Sequence, residues 1–349
     1  MNKYNPKDPI KICIVRLSAL GDVVLAIPAV KAIRKHFPNA EITWIIEKIF
    51  LPAVDEIDGI SFFPIDKPKT LSDYYRLWKK VRTNHFDVLL AMQASFRANL
   101  MYPLIRAEIK IGFDSRRAKD LHKLFINHYI QKEDHHIADG FMSFAKILGI
   151  PVGEAVWNLK VDKEDMLWIK HKVGQTGYVV MHVATSKKER NWPTKKYIEL
   201  IKAISNSFDY KIVLTGGNSK TELETADSIS QNCQNVVNLA GSTSIKKLMA
   251  LLKLSLALIS PDSGPVHIAR ALNIPVIGLY AIARPELSGP YHKLDFTINK
   301  YNEAVRKISG REPQSVDWHF RVHSQAAMDL ISVNDVITKL KMIKSLINE

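Results

Sequence analysis

Short apolar runs alternate with segments of helical period along most of the chain. Ile12-Cys13-Ile14-Val15 reads as a buried strand, and Val23, Leu25, Ile27, Val30 and Ile33 then recur at helical spacing. Pro28 falls inside that pattern and predicts a kink, or a place near the first helical turns. The same reading predicts strands near residues 11–15, 42–46 and 88–92, with helices between them. Around residues 159–171 the pattern turns charged and only weakly apolar, which marks a domain junction. Strands near 178–183, 211–214, 236–238, 256–260 and 276–279 follow. Ser332-Val333-Asn334-Asp335 is a capping signal, and Val333, Val336, Ile337, Leu340, Ile343 and Leu346 form one apolar face of a last helix. Strands alternating with helices predict α/β architecture with parallel sheets. The expected division is 1–165, 166–330 and a terminal helix over 331–349. No short internal repeat and no low-complexity tract is found.

Composition narrows the picture modestly. A chain of 349 residues, 46% hydrophobic, is long enough for two domains with a large core. Its 49 Lys and Arg against 35 Asp and Glu give a formal charge of +14, which favours polyanionic partners: nucleic acid, anionic lipid or a phosphorylated sugar. No helix-turn-helix, zinc or RNA-binding signature accompanies that charge, so nucleic acid is not the expected partner. Cys13 and Cys233 offer neither a disulfide framework nor metal spacing, and Cys13 reads as core packing. The polar start of the sequence carries no apolar signal region, and no run reaches a membrane span of about 20 apolar residues. A cytoplasmic protein is expected, or one touching a membrane surface.

Two loops carry the candidate chemistry. Pro261-Asp262-Ser263-Gly264-Pro265-Val266-His267 lies between an apolar run and a helical segment. Ser263 is placed to cap that helix, Gly264 allows a close turn, and Pro265 fits the first helical turn. Such a helix start points free N–H groups and a positive dipole outward, which suits a phosphate. His267 sits in the first turn. An ordinary α/β turn with a satisfied Asp and His accounts for the same residues. The second loop, Arg16-Leu17-Ser18-Ala19-Leu20-Gly21-Asp22, follows the first strand; Gly21 permits a tight turn. Asp22 is either a carboxylate favourably placed against a helix dipole or a general base at the mouth of a cleft.

Together, R-L-S-A-L-G-D-V-V-L-A-I-P-A-V and P-D-S-G-P-V-H-I-A-R-A-L resemble the ADP-heptose:lipopolysaccharide heptosyltransferase family. Val179-Val180-Met181-His182-Val183-Ala184-Thr185-Ser186 with Arg190-Asn191-Trp192-Pro193 is similar to its middle motif. Val213-Leu214-Thr215-Gly216-Gly217 with Glu222 resembles the next. Met92-Gln93-Ala94-Ser95-Phe96-Arg97-Ala98 points to the branch that adds the first heptose. The resemblance implies a GT-B fold, two Rossmann-like domains facing across a cleft, with the last helix crossing back to the N-terminal domain. It implies an inverting transfer from ADP-L-glycero-D-manno-heptose to Kdo–lipid A at the cytoplasmic face of the inner membrane.

No Asp-x-Asp motif is present, so no metal or other cofactor is expected, and protein groups must stabilise the leaving diphosphate. The expected donor-binding residues are Thr185, Ser186, Arg190, Glu222, Asp262, Ser263, Gly264 and His267. Glu222 is assigned to the ribose, because a carboxylate against a diphosphate is repelled. Arg190 departs from the family's usual Lys, and Ser263 stands where Thr is common. Asp22 is the expected catalytic base. Arg97, Arg116 and Arg117, amid Arg106, Lys110, Lys119 and Lys123, are the expected acceptor-binding cations. His135 and His136, beside Glu133 and Asp134, read as a solvated loop. A nicotinamide oxidoreductase would need a Gly-x-Gly-x-x-Gly turn that the first loop lacks. The alternatives are another nucleotide sugar or core position on the same fold, and a nonenzymatic polyanion-binding protein.

Overall fold

The computed structural model describes residues 4–131 and 135–348, and the chain divides into two compact units, Met1–Trp157 and Asn158–Glu349. Unit 1 runs β1 (Lys11–Val15), α1 (Leu20–His36), β2 (Glu41–Glu47), β3 (Ile60–Ile65), α2 (Leu71–Val81), β4 (His85–Leu90), α3 (Phe96–Asn99), β5 (Arg106–Gly112), β6 (His128–Tyr129) and α4 (Ile137–Ile147). Its six strands are all parallel, in the order β3-β2-β1-β4-β5-β6.

Unit 2 contains α5 (Lys163–Val173), β7 (Tyr178–His182), α6 (Thr194–Ser207), β8 (Lys211–Thr215), α7 (Lys220–Gln231), β9 (Val236–Asn238) and α8 (Ile245–Lys253). It continues with β10 (Ala257–Pro261), α9 (Gly264–Ala271), β11 (Val276–Tyr280), α10 (Pro285–Ser288), β12 (Ile298–Asn299), α11 (Tyr301–Ser309) and α12 (Val333–Asn348). The order β12-β11-β10-β7-β8-β9 is again parallel throughout. Counted from each unit's first strand, the two sheets share one topology, although no sequence repeat announces it.

That topology fixes where ligands can bind. The strand order reverses between β1 and β4 in unit 1, and between β7 and β10 in unit 2. A crevice opens at the carboxyl ends of strands at such a switch point. The loops after β1 and β10, singled out from the sequence, start there.

Pro28 is buried well inside α1, beyond its first turns. Proline has no N–H to return to the carbonyl four residues back. That carbonyl, on Val24, accepts the indole N–H of Trp157 at 2.9 Å, and Lys31 donates to the Trp157 carbonyl. Trp157 is thereby fastened to α1, and the junction falls at 157/158, ahead of the expected 165/166. The charged stretch taken as the linker forms α5 of unit 2. The last helix, expected to cross back, seats Val336, Ile337, Leu340 and Ile343 in the core of unit 2, against α6 and β11. Its start is capped as expected: Ser332 Oγ accepts from Asp335 N, and the Asp335 carboxylate accepts from Ser332 N. Cys13 is fully buried in β1, and burial raises its thiol pKa, as fits a packing role.

Candidate active site

Arg16 follows β1 at the switch point of unit 1 and is buried. Its Nη1 donates to the Met92 carbonyl at 2.9 Å, its Nη2 pairs with Asp22 Oδ2, and its guanidinium lies 5.3 Å from the Phe141 ring centre. Burial lowers its pKa and the Asp22 carboxylate opposes the shift; an arginine remains charged there. The pair is lopsided, with side-chain exposure of 9% for Arg16 and 35% for Asp22. The cation anchors from below, and the carboxylate reaches solvent at the third residue of α1, where the helix dipole favours a negative charge.

Gln93, after β4, accepts from Leu17 N at 2.9 Å and Ser18 N at 3.2 Å, while Tyr102 holds its carbonyl. A cavity of about 410 Å³ opens beside this loop, lined by Leu17, Ser18, Glu47, Lys67, Pro68, Gln93, Ser95, Phe96 and Arg97. Of the three expected acceptor cations, only Arg97 lines it. Arg117 is turned into its own loop, pairing with Asp114 and donating to the Gln131 carbonyl at 3.3 Å; Arg116 N donates to Asp114 Oδ1 at 2.9 Å. Burial would raise the Asp114 pKa, but the Arg116 N–H and the Arg117 guanidinium outweigh it and hold the carboxyl below its usual range. His136 is not in a solvated loop: it is buried and its ring accepts from Ala138 N at the start of α4. Glu133 and Asp134 lie outside the described residues.

At the switch point of unit 2, Arg190 Nη1 sits 3.2 Å from Asp262 Oδ2 and donates to the Asp262 carbonyl at 3.3 Å. Arg321 Nη1 lies 3.9 Å from the same carboxylate oxygen. Two guanidinium groups therefore face one carboxylate, and a positive charge is left over at the start of α9. Ser263 occupies the N-cap position, but its hydroxyl bonds Ser260 Oγ at 2.7 Å and makes no capping bond. Gly264 and Gly21 lie within α9 and α1 and are not at positive φ, so neither turn depends on left-handed backbone. His267 is buried in the first turn of α9.

Of the other residues expected to bind the donor, Thr185 and Glu222 are held by local bonds. Thr185 N donates to Asn191 Oδ1 at 2.7 Å, and the Thr185 hydroxyl lies 3.0 Å from both that oxygen and the Lys187 carbonyl. Ser186 is exposed. Glu222 accepts from Gly217 N at 3.0 Å and from the Ser219 hydroxyl, so its carboxylate braces the turn that starts α7. A Cβ on Gly217 would come within 2.8 Å of that carboxylate, which would have to shift to make room.

Arg16, Gln93, Asn191 and Arg321 are site residues that the motif reading did not assign. Arg16, Gln93 and Asn191 stand inside the quoted motifs, and Arg16 had one signal: a cation directly continuing a buried strand. Arg321 had none, because it comes from a segment remote in sequence.

His182 ends β7 and is buried, with no partner on Nδ1. Burial drives its pKa down to about 4, against the opposing pull of Glu222 and the Thr215 carbonyl. The unfolded chain takes up this proton near pH 6.5, whereas the folded one resists until about pH 4. Stability from this group is therefore complete above about pH 6.5 and lost as pH falls from there, by up to about 1.4 kcal/mol per pH unit. Urea unfolding at about pH 7 and about pH 5 should show the loss, and His182→Asn should shrink it; an unchanged pH difference in the variant refutes the assignment.

The two parallel sheets and their switch-point loops make two Rossmann-like units, and solved structures share this fold. A glycosyl transferase family 9 protein from Veillonella parvula aligns with a TM-score of 0.79 at 19% identity, covering 98% of this chain and 99% of that one. The E. coli heptosyltransferase WaaC with ADP aligns at 0.72 and 20%, covering 96% and 100%. In sequence, the lipopolysaccharide core heptosyltransferase OpsX of Haemophilus influenzae is 34% identical over 336 residues, 95% of this chain and 96% of that protein. Residues 74–314 match glycosyltransferase family 9 (heptosyltransferase), and the chain belongs to that family. It is a GT-B enzyme that transfers a glycosyl group.

Proposed function

We propose that the protein moves a heptose from ADP-L-glycero-D-manno-heptose onto Kdo–lipid A, building the inner core of lipopolysaccharide. The observation that carries this reading is the cationic surplus of Arg190 and Arg321 over Asp262 at the start of α9. A leaving diphosphate needs that charge, supplied by preorganised donors. Arg190 offers a planar fork for phosphate oxygens, and the α9 N–H groups add donors. Glu222 can accept from ribose hydroxyls only by sharing its bonds with Gly217 and Ser219. Asp22 accepts the proton of the acceptor hydroxyl as that oxygen attacks the anomeric carbon. The bond from this carbon to the diphosphate breaks in the same step, ADP leaves with the electron pair, and the anomeric centre inverts. Lys67 and Arg97 in the cavity of unit 1 suit an acceptor sugar that bears a carboxylate.

The test offers the purified enzyme a panel of nucleotide sugars, each with Kdo–lipid A. One added heptose mass with the ADP-heptose donor is expected. Transfer of a different sugar, or transfer only to a core that already carries heptose, overturns the stated substrate pair.

A further inference from the structure

Helix α2 is amphipathic twice over. Leu77 and Val81 are buried in unit 1. A second apolar stripe, Leu71, Tyr75 and Trp78, recurs at helical spacing and is 87%, 61% and 37% exposed. The Tyr75 and Trp78 rings lie 5.7 Å apart, and the Arg82 guanidinium sits 5.2 Å from the Trp78 ring centre. Exposed tryptophan, tyrosine and leucine on one helix stripe cost solvation energy in water, and such a patch marks an interaction surface.

The charge around the stripe identifies the partner. Residues 67–82 hold six basic side chains and one acidic one; Lys79 is exposed on α2 and Arg82 is exposed at its C-cap, while Lys80 lies over the Phe63 ring on the other side of the helix. Amphipathic aromatic rings with flanking cations match the boundary between acyl chains and anionic headgroups. The same element also reaches the cavity of unit 1. Lys67 and Pro68 line that cavity just before α2, and the Tyr74 hydroxyl donates to the Arg97 carbonyl at 3.2 Å on its rim.

We propose that this face of α2 docks on an anionic lipid bilayer, with Leu71, Tyr75 and Trp78 entering the interface and Lys79 and Arg82 meeting lipid phosphates. The enzyme then rests on the surface that carries its acceptor, and the cavity rim meets the bilayer edge-on. The delivery of acceptor rests on the proposed function; the docking does not.

Flotation of the full-length protein with vesicles tests the docking. Wild type should float with phosphatidylcholine vesicles containing phosphatidylglycerol and stay behind with pure phosphatidylcholine. Replacing Leu71, Tyr75 and Trp78 together by Ser should cut partitioning at least about tenfold, with unfolding temperature unchanged. If that variant unfolds early, Trp78→Ser alone is the substitute, with a loss of about threefold expected. Lys79→Glu with Arg82→Glu should weaken binding and flatten its salt dependence. Wild type that ignores the anionic vesicles, or apolar variants that float as well as wild type, overturns the proposal. So does binding that charge reversal abolishes and apolar removal leaves intact, because the face is then a general polyanion surface. Transfer to a lipid-free acceptor, assayed in parallel, should be equal in all variants. Absence of that transfer in wild type counts against the proposed substrates and leaves the flotation result standing.

Discussion

Asp22→Asn should lower the turnover number about a thousandfold, within the span attributed to a positioned general base, while ADP binding stays near wild type. The amide keeps the size and one acceptor oxygen of the carboxylate, but it takes up no proton at neutral pH. A sugar hydroxyl is too weak an acid to ionise before attack, so the proton must leave as the new bond forms. The cost to the fold is limited by the geometry. Arg16 keeps its bond to the Met92 carbonyl and its contact with the Phe141 ring when the opposing charge goes. The variant should therefore fold, with unfolding lowered by a few degrees. Product counted by mass spectrometry, alongside calorimetric ADP titration, separates the two effects. Near-wild-type turnover in the variant would falsify the assignment of Asp22 as base.

Arg190→Ala should weaken ADP binding about a hundredfold, equivalent to about 2.7 kcal/mol and within the cost of truncating a hydrogen-bonded buried charge. Two losses combine. The diphosphate loses a bidentate partner, and Asp262 is left with Arg321 at 3.9 Å as its cation, so a carboxylate stands less neutralised beside an incoming anion. Arg190→Lys restores the charge but not the fork, and should recover part of the affinity. Adenosine carries no phosphate and supplies the control. Its affinity should be unchanged by either substitution, and an equal loss for adenosine and ADP would mean that Arg190 shapes the pocket instead of meeting phosphate.

The legible part of the fold was its buried part. β1 was read from four consecutive apolar residues, and the strands near 178–183 and 276–279 matched runs buried on both faces of a parallel sheet. Four strands toward the sheet margins escaped, although β9, an edge strand, was read. β3 contains Pro64, which argues against a central strand, and β5 interleaves Arg106, Glu108 and Lys110 with its apolar residues. β6 and β12 are too short to show any period.

For the site, motif order gave the loops but not the partners of their side chains. Glu222 offered an open carboxylate in the sequence, and the fold engages it with Gly217 and Ser219. Arg116 and Arg117 looked like one basic patch, until a buried Asp114 drew Arg117 into the loop. Ser263 was in place to cap α9, yet its hydroxyl turned to Ser260.

The sequence by itself determined the alternation of elements, the parallel sheets that follow from it, and the loops at which chemistry could occur, because each is announced by a hydrophobic or turn pattern local to a short stretch of chain. Tertiary structure alone decided that Arg16 backs Asp22, that Arg321 joins Arg190 on Asp262, and that Trp157 takes the carbonyl Pro28 leaves open. The last two join segments remote in the chain, and even Arg16 and Asp22, six residues apart, meet only once the turn between them has its folded path, so no local pattern announces any of the three.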